Sequence, residues 1–395
     1  MRHSVHAPYD ATTRGLLRGS LLTCIALVAC ASLYPFTLDI SAGWAALSAG
    51  ASGLMNWRDP TRRDLIVNLI AYVPIGFLLT GLLAAERRVA MAATLAVAIG
   101  AGGSLTIELA QHFVPVRVPS LADFSYNVVS TLLGALLWPS LRVLPLRPIA
   151  ARLRRPDIGL TLGLLSVLWI SAHAAPFLPR TRWIRVRESL QPLLDFQFDP
   201  QAFALHVASA IVLATILRAV VRRDSFWPLF IQIVLLSFGA RLMFVEQQLA
   251  LAQLLGLVVA LPIIVGLRGR NHRAALTPAL VVISVALLVS ATAPWDFGTS
   301  TPFSWSPLSG LGSGLLDGDY RHVIERAFVL LGALWIGSRT ALGLGLTSLL
   351  LLGIAAGGEV MHRFLDGRIA DTTDIAMVLL GAALLHLVDG KARAG

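Results

Sequence analysis

Polar and ionisable side chains are concentrated in one short segment, residues 107–127, with the sequence IELAQHFVPVRVPSLADFSYN between two long apolar runs. Glu108 and Gln111 are three residues apart, so they share one face of a predicted helix, and Arg117 follows in the sequence. A partly desolvated glutamate has a raised pKa and could handle a proton, while an arginine could bind a phosphate or a carboxylate with two parallel hydrogen bonds. Because such groups are costly near hydrocarbon, this segment is a candidate polar site.

The local sequence also predicts how this segment folds. Pro115 and Pro119 must end the helix that precedes them, because each proline restricts the residue before it. Ser120 followed by Asp123 has the spacing of a capping box at the start of the next helix. Asn127 lies one turn after Asp123 and shares its face. Two helices joined by a short loop are therefore expected to present their polar groups together.

Asn68 adds a polar position from the preceding apolar run, so that three helices could contribute to the same site. In a structural interpretation, Arg117 pairs with Glu108, Asp123 caps its helix, and Asn68 and Gln111 form hydrogen bonds between helices. In a functional interpretation, the same side chains line a polar pocket. Both interpretations are open on the sequence.

The composition of the 395-residue chain predicts an all-α integral membrane protein, because 56% of the residues are apolar, 14% are charged and the mean hydropathy is +0.74. Runs of this length and apolarity can cross a bilayer as helices. About twelve transmembrane helices are expected, near residues 16–36, 65–84, 89–111, 122–141, 158–178, 202–221, 226–245, 248–267, 275–294, 320–338, 341–362 and 373–390.

The basic residues predict the orientation of these helices. More than half of the 32 arginine and lysine residues fall at the termini or in connections after even-numbered helices. The positive-inside rule then places both termini in the cytoplasm and residues 107–127 towards the outer leaflet. We therefore expect a multi-pass protein of the inner (cytoplasmic) membrane, in contact with membrane lipids. The sequence contains no basic patch with interleaved aromatic residues, so we expect no nucleic-acid partner.

Similar short motifs recur along the chain and predict three parallel four-helix repeats. The first helix of each unit ends in SLYPF, HAAPF or ATAPW. Glu359, Arg368 and Asp374 repeat the spacing of the first acid–arginine–acid set, whereas the middle unit offers only Arg241 and Glu246. The expected organisation is a cytoplasmic tail (1–15), a first unit (16–141), a basic cytoplasmic linker (142–157), a degenerate middle unit (158–268), a third unit (275–390) and a second tail (391–395).

The motifs NLIAYVPIG, IELAQ and DFSYN, with an arginine before the last, resemble the VanZ-like family of polytopic membrane proteins, which is named for a teicoplanin-resistance protein. The resemblance covers about residues 16–141. Antibiotic resistance comes from the name of the family and is connected with this chain by the resemblance only. It implies the ligand-binding residues Asn68, Glu108, Gln111, Arg117, Asp123 and Asn127. The third unit departs from the motif, with Ile324 in place of Asn68, and its candidate residues are Glu359, His362, Arg368 and Asp374.

The resemblance favours a cell-envelope protein that binds or translocates a lipid-linked or cell-wall-related ligand, rather than an enzyme. Three alternatives are a membrane-embedded enzyme acting on a prenyl-phosphate lipid, a secondary transporter and a scaffold for envelope biosynthesis. No catalytic residue, metal site or cofactor is predicted, since the histidines show no metal-ligand spacing and no phosphate-binding loop is present. The sequence predicts no oligomeric state.

Overall fold

The computed structural model describes residues 11–48, 62–141, 159–178, 183–196, 198–245, 247–309, 320–366 and 368–394. Most of the predicted first tail, the basic linker and Glu246 lie outside these residues. Within them the secondary structure is helical, with one isolated antiparallel bridge between Phe297 and Leu365. This confirms the predicted all-α class for the described part of the chain.

The first helices in chain order are α1 (Ala11–Leu33), α2 (Ile40–Ser48), α3 (Arg62–Leu83), α4 (Val89–Gln111) and α5 (Leu121–Leu141). They are followed by α6 (Gly159–Ala174), α7 (Trp183–Ser189), α8 (Gln191–Leu194), α9 (Pro200–Val220), a 3₁₀ turn at Arg223–Ser225 and α10 (Phe226–Met243). The last are α11 (Leu251–Arg268), α12 (His272–Thr292), α13 (Tyr320–Gly337), α14 (Gly343–His362) and α15 (Thr373–Ala394).

Eight helices of the described residues are long and apolar enough to cross a membrane, by length and composition. They lie within α1, α4, α5, α9, α10, α11, α12 and α14, the span in α10 starting at the preceding 3₁₀ turn. Shorter apolar segments lie in α3, α6 and α15, and α13 carries Arg321, Glu325 and Arg326 in its first turns. These helices support a multi-pass membrane protein, while the expected number of twelve spans stays a prediction.

The chain divides into two compact units, Met1–Val167 and Leu168–Gly395. In the first unit, α3 packs against α1, α4 and α5. Its apolar core contains Leu21, Tyr72, Ile75 and Leu79. Because helices surrounded by lipid gain little from hydrophobicity alone, close backbone packing must hold them together.

Two glycines allow α3 and α5 to approach closely. A Cβ atom at Gly76 would lie 2.0 Å from the carbonyl oxygen of Thr131, and one at Gly134 would lie 2.0 Å from that of Val73. Both distances are far below any normal contact, so a larger side chain would force the helices apart. The contact between α3 and α5 therefore depends on small residues on both helices.

In the second unit, α9 is buried along most of its length and packs against α11, α12 and α13. The carboxyl-terminal half of α13 is also buried, with Trp335 and Phe328 among its largest enclosed side chains. A helix that is buried on all sides must direct any polar group towards a neighbouring helix. The polar residues of α9 and α13 are therefore expected to meet each other.

The chain leaves α1, α6 and α12 with a similar backbone turn. Phe36, Phe177 and Trp295 each have a positive φ, of 62°, 62° and 66° respectively, and each follows a proline whose preceding peptide bond is cis. A positive φ is uncommon for a bulky side chain. These three φ values occur at the three places where the sequence predicts the first helix of a repeat to end. The threefold repeat itself stays a prediction.

Candidate functional site

Glu108 joins the end of α4 to the start of α5. Its side chain is buried, and its Oε2 accepts a hydrogen bond from the backbone nitrogen of Ser120 at 2.9 Å. The Ser120 hydroxyl in turn accepts a hydrogen bond from the nitrogen of Asp123 at 3.4 Å. The predicted capping box is thus half present, since Glu108 rather than Asp123 binds the Ser120 amide. The buried carboxylate satisfies a donor that the helix itself leaves open.

The polar residues of α3, α4 and α5 form two further contacts between helices. The Asn68 amide donates to Oδ1 of Asp123 at 3.1 Å, and both side chains are half-buried. The Asn127 amide donates to the hydroxyl of Ser104 at 3.0 Å. Asn127 is buried, and among the residues that the structure describes its Oδ1 atom has no hydrogen-bond donor. Asn68 and Asp123 thus join α3 to α5, as the sequence predicts, while Asn127 joins α5 to α4 through Ser104.

Arg117 does not pair with Glu108, so the structural interpretation is wrong in this respect. Arg117 instead binds the end of α1, with Nε donating to the carbonyl oxygen of Tyr34 at 2.8 Å and Nη2 to that of Ala31 at 2.7 Å. Gln111 acts similarly and donates to the carbonyl oxygen of Ser32 at 3.1 Å. Carbonyl groups at a helix end carry partial negative charge and lack partners within the helix.

Two of the donor atoms of Arg117 are therefore engaged by the backbone. Burial lowers the pKa of Arg117, whose loop lies outside the membrane-spanning segments, but an arginine keeps its charge at neutral pH. The guanidinium serves first to fix the loop of residues 112–120 against α1. These two bonds use two of the five N–H groups of the guanidinium.

The predicted residues of the third unit form a related set of contacts. Glu359 is buried, and its Oε2 accepts from the backbone nitrogen of Asp371 at 2.8 Å and lies 3.2 Å from Nδ1 of His362. Arg368 donates to the carbonyl oxygen of Ala293 at 3.3 Å and also to the side-chain oxygen of Gln201. Glu359 thus accepts a hydrogen bond from a backbone amide, as Glu108 does. Arg368 binds the carboxyl-terminal end of α12, as Arg117 binds that of α1.

Asp374 differs from its first-unit counterpart because it forms an ion pair. Its Oδ2 lies 3.2 Å from Nε of Arg326, and both side chains are largely buried. Ile324 stands where the first-unit motif has Asn68, and the charged partner of Asp374 comes from two residues later on α13. The sequence interpretation did not include Arg326. The signal available for it was the presence of charged residues on a helix predicted to cross the membrane.

A second polar cluster, also missed as a site, lies inside the second unit. His173, His206, Arg241 and Glu325 are all buried, and they come from α6, α9, α10 and α13. From the sequence, Arg241 is assigned only to the degenerate middle repeat. Ionisable residues inside membrane-spanning segments are uncommon and usually functional, and this signal could have identified the cluster. Within the described residues, no group of three or more histidine, cysteine or acidic side chains has a geometry that could hold a metal ion.

Comparison with known proteins supports the amino-terminal part of this picture. A family model described as VanZ/LLP1 matches residues 21–142, which include α2 to α5 and most of α1. The match confirms the resemblance to the VanZ-like family for this segment, and the segment holds all six predicted first-unit residues. No curated protein and no solved structure matches the chain.

Proposed function

We propose that this protein is a VanZ-like cell-envelope membrane protein that binds a lipid-linked or cell-wall-related ligand where Asn68, Asp123 and Asn127 meet. The observation that carries the proposal is the buried Oδ1 atom of Asn127, for which the described part of the chain offers no donor. A buried acceptor without a partner costs about 1–3 kcal/mol, and a ligand or water that donates a hydrogen bond would recover this energy. The half-buried pair of Asn68 and Asp123 lies one turn away on the same face.

The chemistry of these side chains favours particular ligand groups. Asp123 and Asn127 offer acceptor oxygens, whereas two donor atoms of Arg117 are held by the backbone. Hydroxyl groups of a sugar or an amine of a peptide would complement acceptor oxygens. The polar part of a glycan- or peptide-bearing lipid therefore fits this site better than a bare phosphate. The protein would hold or pass on such a ligand without converting it.

Binding is tested with purified protein in lipid nanodiscs and one defined probe, a polyprenyl-diphosphate-linked disaccharide pentapeptide. We expect Asp123→Asn and Asn127→Leu to weaken binding of this probe at least tenfold in native mass spectrometry. Asp39→Asn is the matched control, because among the described residues the exposed side chain of Asp39 accepts hydrogen bonds from Ser41 and Ala42 of its own turn and from no residue of the proposed site. Equal affinity in all three variants would overturn the proposal. A change in the probe's mass after incubation would instead indicate an enzyme.

A scaffold function is a second candidate, since Glu108, Gln111 and Arg117 all bind backbone groups of the protein itself. In this case none of the polar side chains is needed for a ligand. The Glu108→Gln, Arg117→Ala double variant tests the idea in a deletion strain. If this variant restores a wild-type envelope phenotype while Asp123→Asn does so too, the protein acts as a scaffold.

A further inference from the structure

A buried charge cluster in the second unit lies outside the part of the chain that matches a known family. Glu325, Arg241 and His206 have 3%, 4% and 8% of their surface exposed, respectively. Three different helices supply them, and two of these helices are candidate membrane spans. Burying a charge in such a place is costly unless it is paired, so the cluster must be explained by what its members do for each other.

Glu325 is the centre of the cluster. Its Oε1 accepts a hydrogen bond from the hydroxyl of Ser209 at 2.9 Å and lies 3.5 Å from Nε2 of His206. Its Oε2 lies 3.6 Å from Nη2 of Arg241. One carboxylate is thus met by a hydroxyl donor, a cation and an imidazole, and the distances to the last two are long for hydrogen bonds.

The hydrogen bonds of His206 fix which nitrogen carries the proton in its neutral form. Nδ1 lies 2.7 Å from the carbonyl oxygen of Ala202, which can only accept, so Nδ1 bears the hydrogen. Nε2 is then an acceptor, and Nη2 of Arg241 lies 3.3 Å away to donate to it. When Nε2 is protonated it becomes a donor, and Oε1 of Glu325 is the acceptor within reach. The two protonation states of His206 therefore have different partners, both already in place.

A cavity gives the cluster room for water. Its volume is about 30 Å³, and its polar lining includes His173, His206, Ser209, Gln253 and Glu325. This volume holds about one or two water molecules, and the lining offers the several polar partners that a buried water needs. Nδ1 of His173 lies 2.8 Å from the carbonyl oxygen of Trp169. In the neutral form of His173, Nε2 is therefore a hydrogen-bond acceptor, like Nε2 of His206.

We propose that His206, Arg241 and Glu325 form a proton-binding site inside the membrane-embedded helices. Nε2 of His206 takes a proton from a hydronium ion in the cavity, which leaves neutral water, gives up the hydrogen bond from Arg241 and donates one to Glu325. The guanidinium keeps its charge throughout, and release of the proton to water restores the first arrangement. The site does not rest on the ligand proposed for the first unit.

Other titratable and charged groups act on this site from the surrounding helices. His173 faces it from α6, while His322 and Arg321 lie at the start of α13 and act on the cluster electrostatically. From α11, Gln253 lines the cavity without a charge. These groups tune the pH at which His206 takes up its proton, but the exchange of partners belongs to His206 alone.

The test uses the full-length protein in nanodiscs with histidines labelled at Cε1 with ¹³C. His206→Gln assigns the His206 signal among the nine histidines, and the exposed His386 is the internal control. We expect the His206 signal to titrate within the pH range over which the labelled protein stays folded. A His206 signal that stays constant over this range overturns the proposal. So does a titration that is identical to that of His386 in every variant.

Two variants move the His206 titration in opposite directions. Glu325→Gln removes the negative charge that favours the protonated form, so the midpoint should fall by about one pH unit or more. Ser209→Ala removes a hydrogen-bond donor from the carboxylate, which then attracts the His206 proton more strongly, so the midpoint should rise. Ser209→Ala leaves both charges in place and keeps the test decisive if Glu325→Gln fails to fold. An unchanged midpoint in Ser209→Ala and in any folded Glu325→Gln protein overturns the proposal.

Discussion

Oε2 of Glu108 lies 2.9 Å from the backbone nitrogen of Ser120, twelve residues later in the chain. The third unit contains the same relationship, with Oε2 of Glu359 lying 2.8 Å from the nitrogen of Asp371, also twelve residues later. In both places a buried acid at the end of one helix binds the amide at or near the start of the next. The shared geometry favours the duplication that the spacing of the acids predicts.

Glu108→Ala is expected to lower the free energy of unfolding by about 1–3 kcal/mol, because the buried Ser120 amide loses its acceptor. Glu108→Gln retains an acceptor oxygen, so its loss should be smaller. Unfolding by SDS in mixed micelles measures both. Glu86→Ala is the control, since Glu86 is exposed and lies 3.7 Å from Arg14 in a surface ion pair. A Glu108→Ala protein as stable as Glu86→Ala would contradict the capping role.

Arg117→Ala is expected to destabilise the protein by about 1.5–3 kcal/mol, since a charged donor is lost from two carbonyl oxygens of α1. Arg117→Lys should recover part of this stability, because it keeps the positive charge. The recovery should be incomplete, because an ammonium group cannot reproduce the planar two-nitrogen contact. Burial lowers the pKa of Arg117, but the side chain stays protonated from pH 6 to pH 8.

The loss in Arg117→Ala should therefore be the same at pH 6 and pH 8, which two unfolding titrations measure. Arg87→Ala, at an exposed position of the same unit, is the control and should change stability by less than about 0.5 kcal/mol. A strongly pH-dependent loss would mean that Arg117 acts through a titrating partner instead of through carbonyl oxygens.

Gly134→Ala is expected to cost about 1–3 kcal/mol, because the new methyl group would lie 2.0 Å from the carbonyl oxygen of Val73 and push α5 away from α3. Gly102→Ala on α4 is the matched control, since a Cβ atom there meets nothing within 4 Å. Alanine favours a helix over glycine by about 1 kcal/mol, so this control should be neutral or more stable. Equal stability of the two variants would exclude close packing at Gly134.

Arg326→Met is expected to destabilise the protein by about 3–5 kcal/mol, because it leaves the largely buried carboxylate of Asp374 without its cation. The Arg326→Met, Asp374→Leu double variant should be more stable than this single variant, since it removes both charges. Glu86→Ala removes the exposed member of the pair with Arg14 and should cost at most about 1 kcal/mol. If the double variant is less stable than Arg326→Met, the two side chains do not act as a pair.

The fold class of this protein and several contacts of its first polar cluster can be predicted from the amino-acid sequence. Composition predicted membrane-spanning helices, and the motifs predicted the VanZ-like resemblance that the family match confirms for residues 21–142. The sequence also predicted that Asn68 and Asp123 approach each other, because both side chains lie at the same end of their helices, α3 and α5, which are separated in the chain only by α4.

The hydrogen-bond and ion-pair partners of the charged side chains become visible in the tertiary structure. Arg117 binds carbonyl oxygens 83 and 86 residues away, instead of the nearby Glu108, because the tertiary packing places the carbonyl end of α1 beside the loop that carries Arg117. Glu325 meets Ser209 across 116 residues, in a cluster that residue spacing does not reveal. Helical periodicity shows which residues share a face, but apolar helix faces resemble one another. The neighbour that each face meets is set by close packing of the whole bundle.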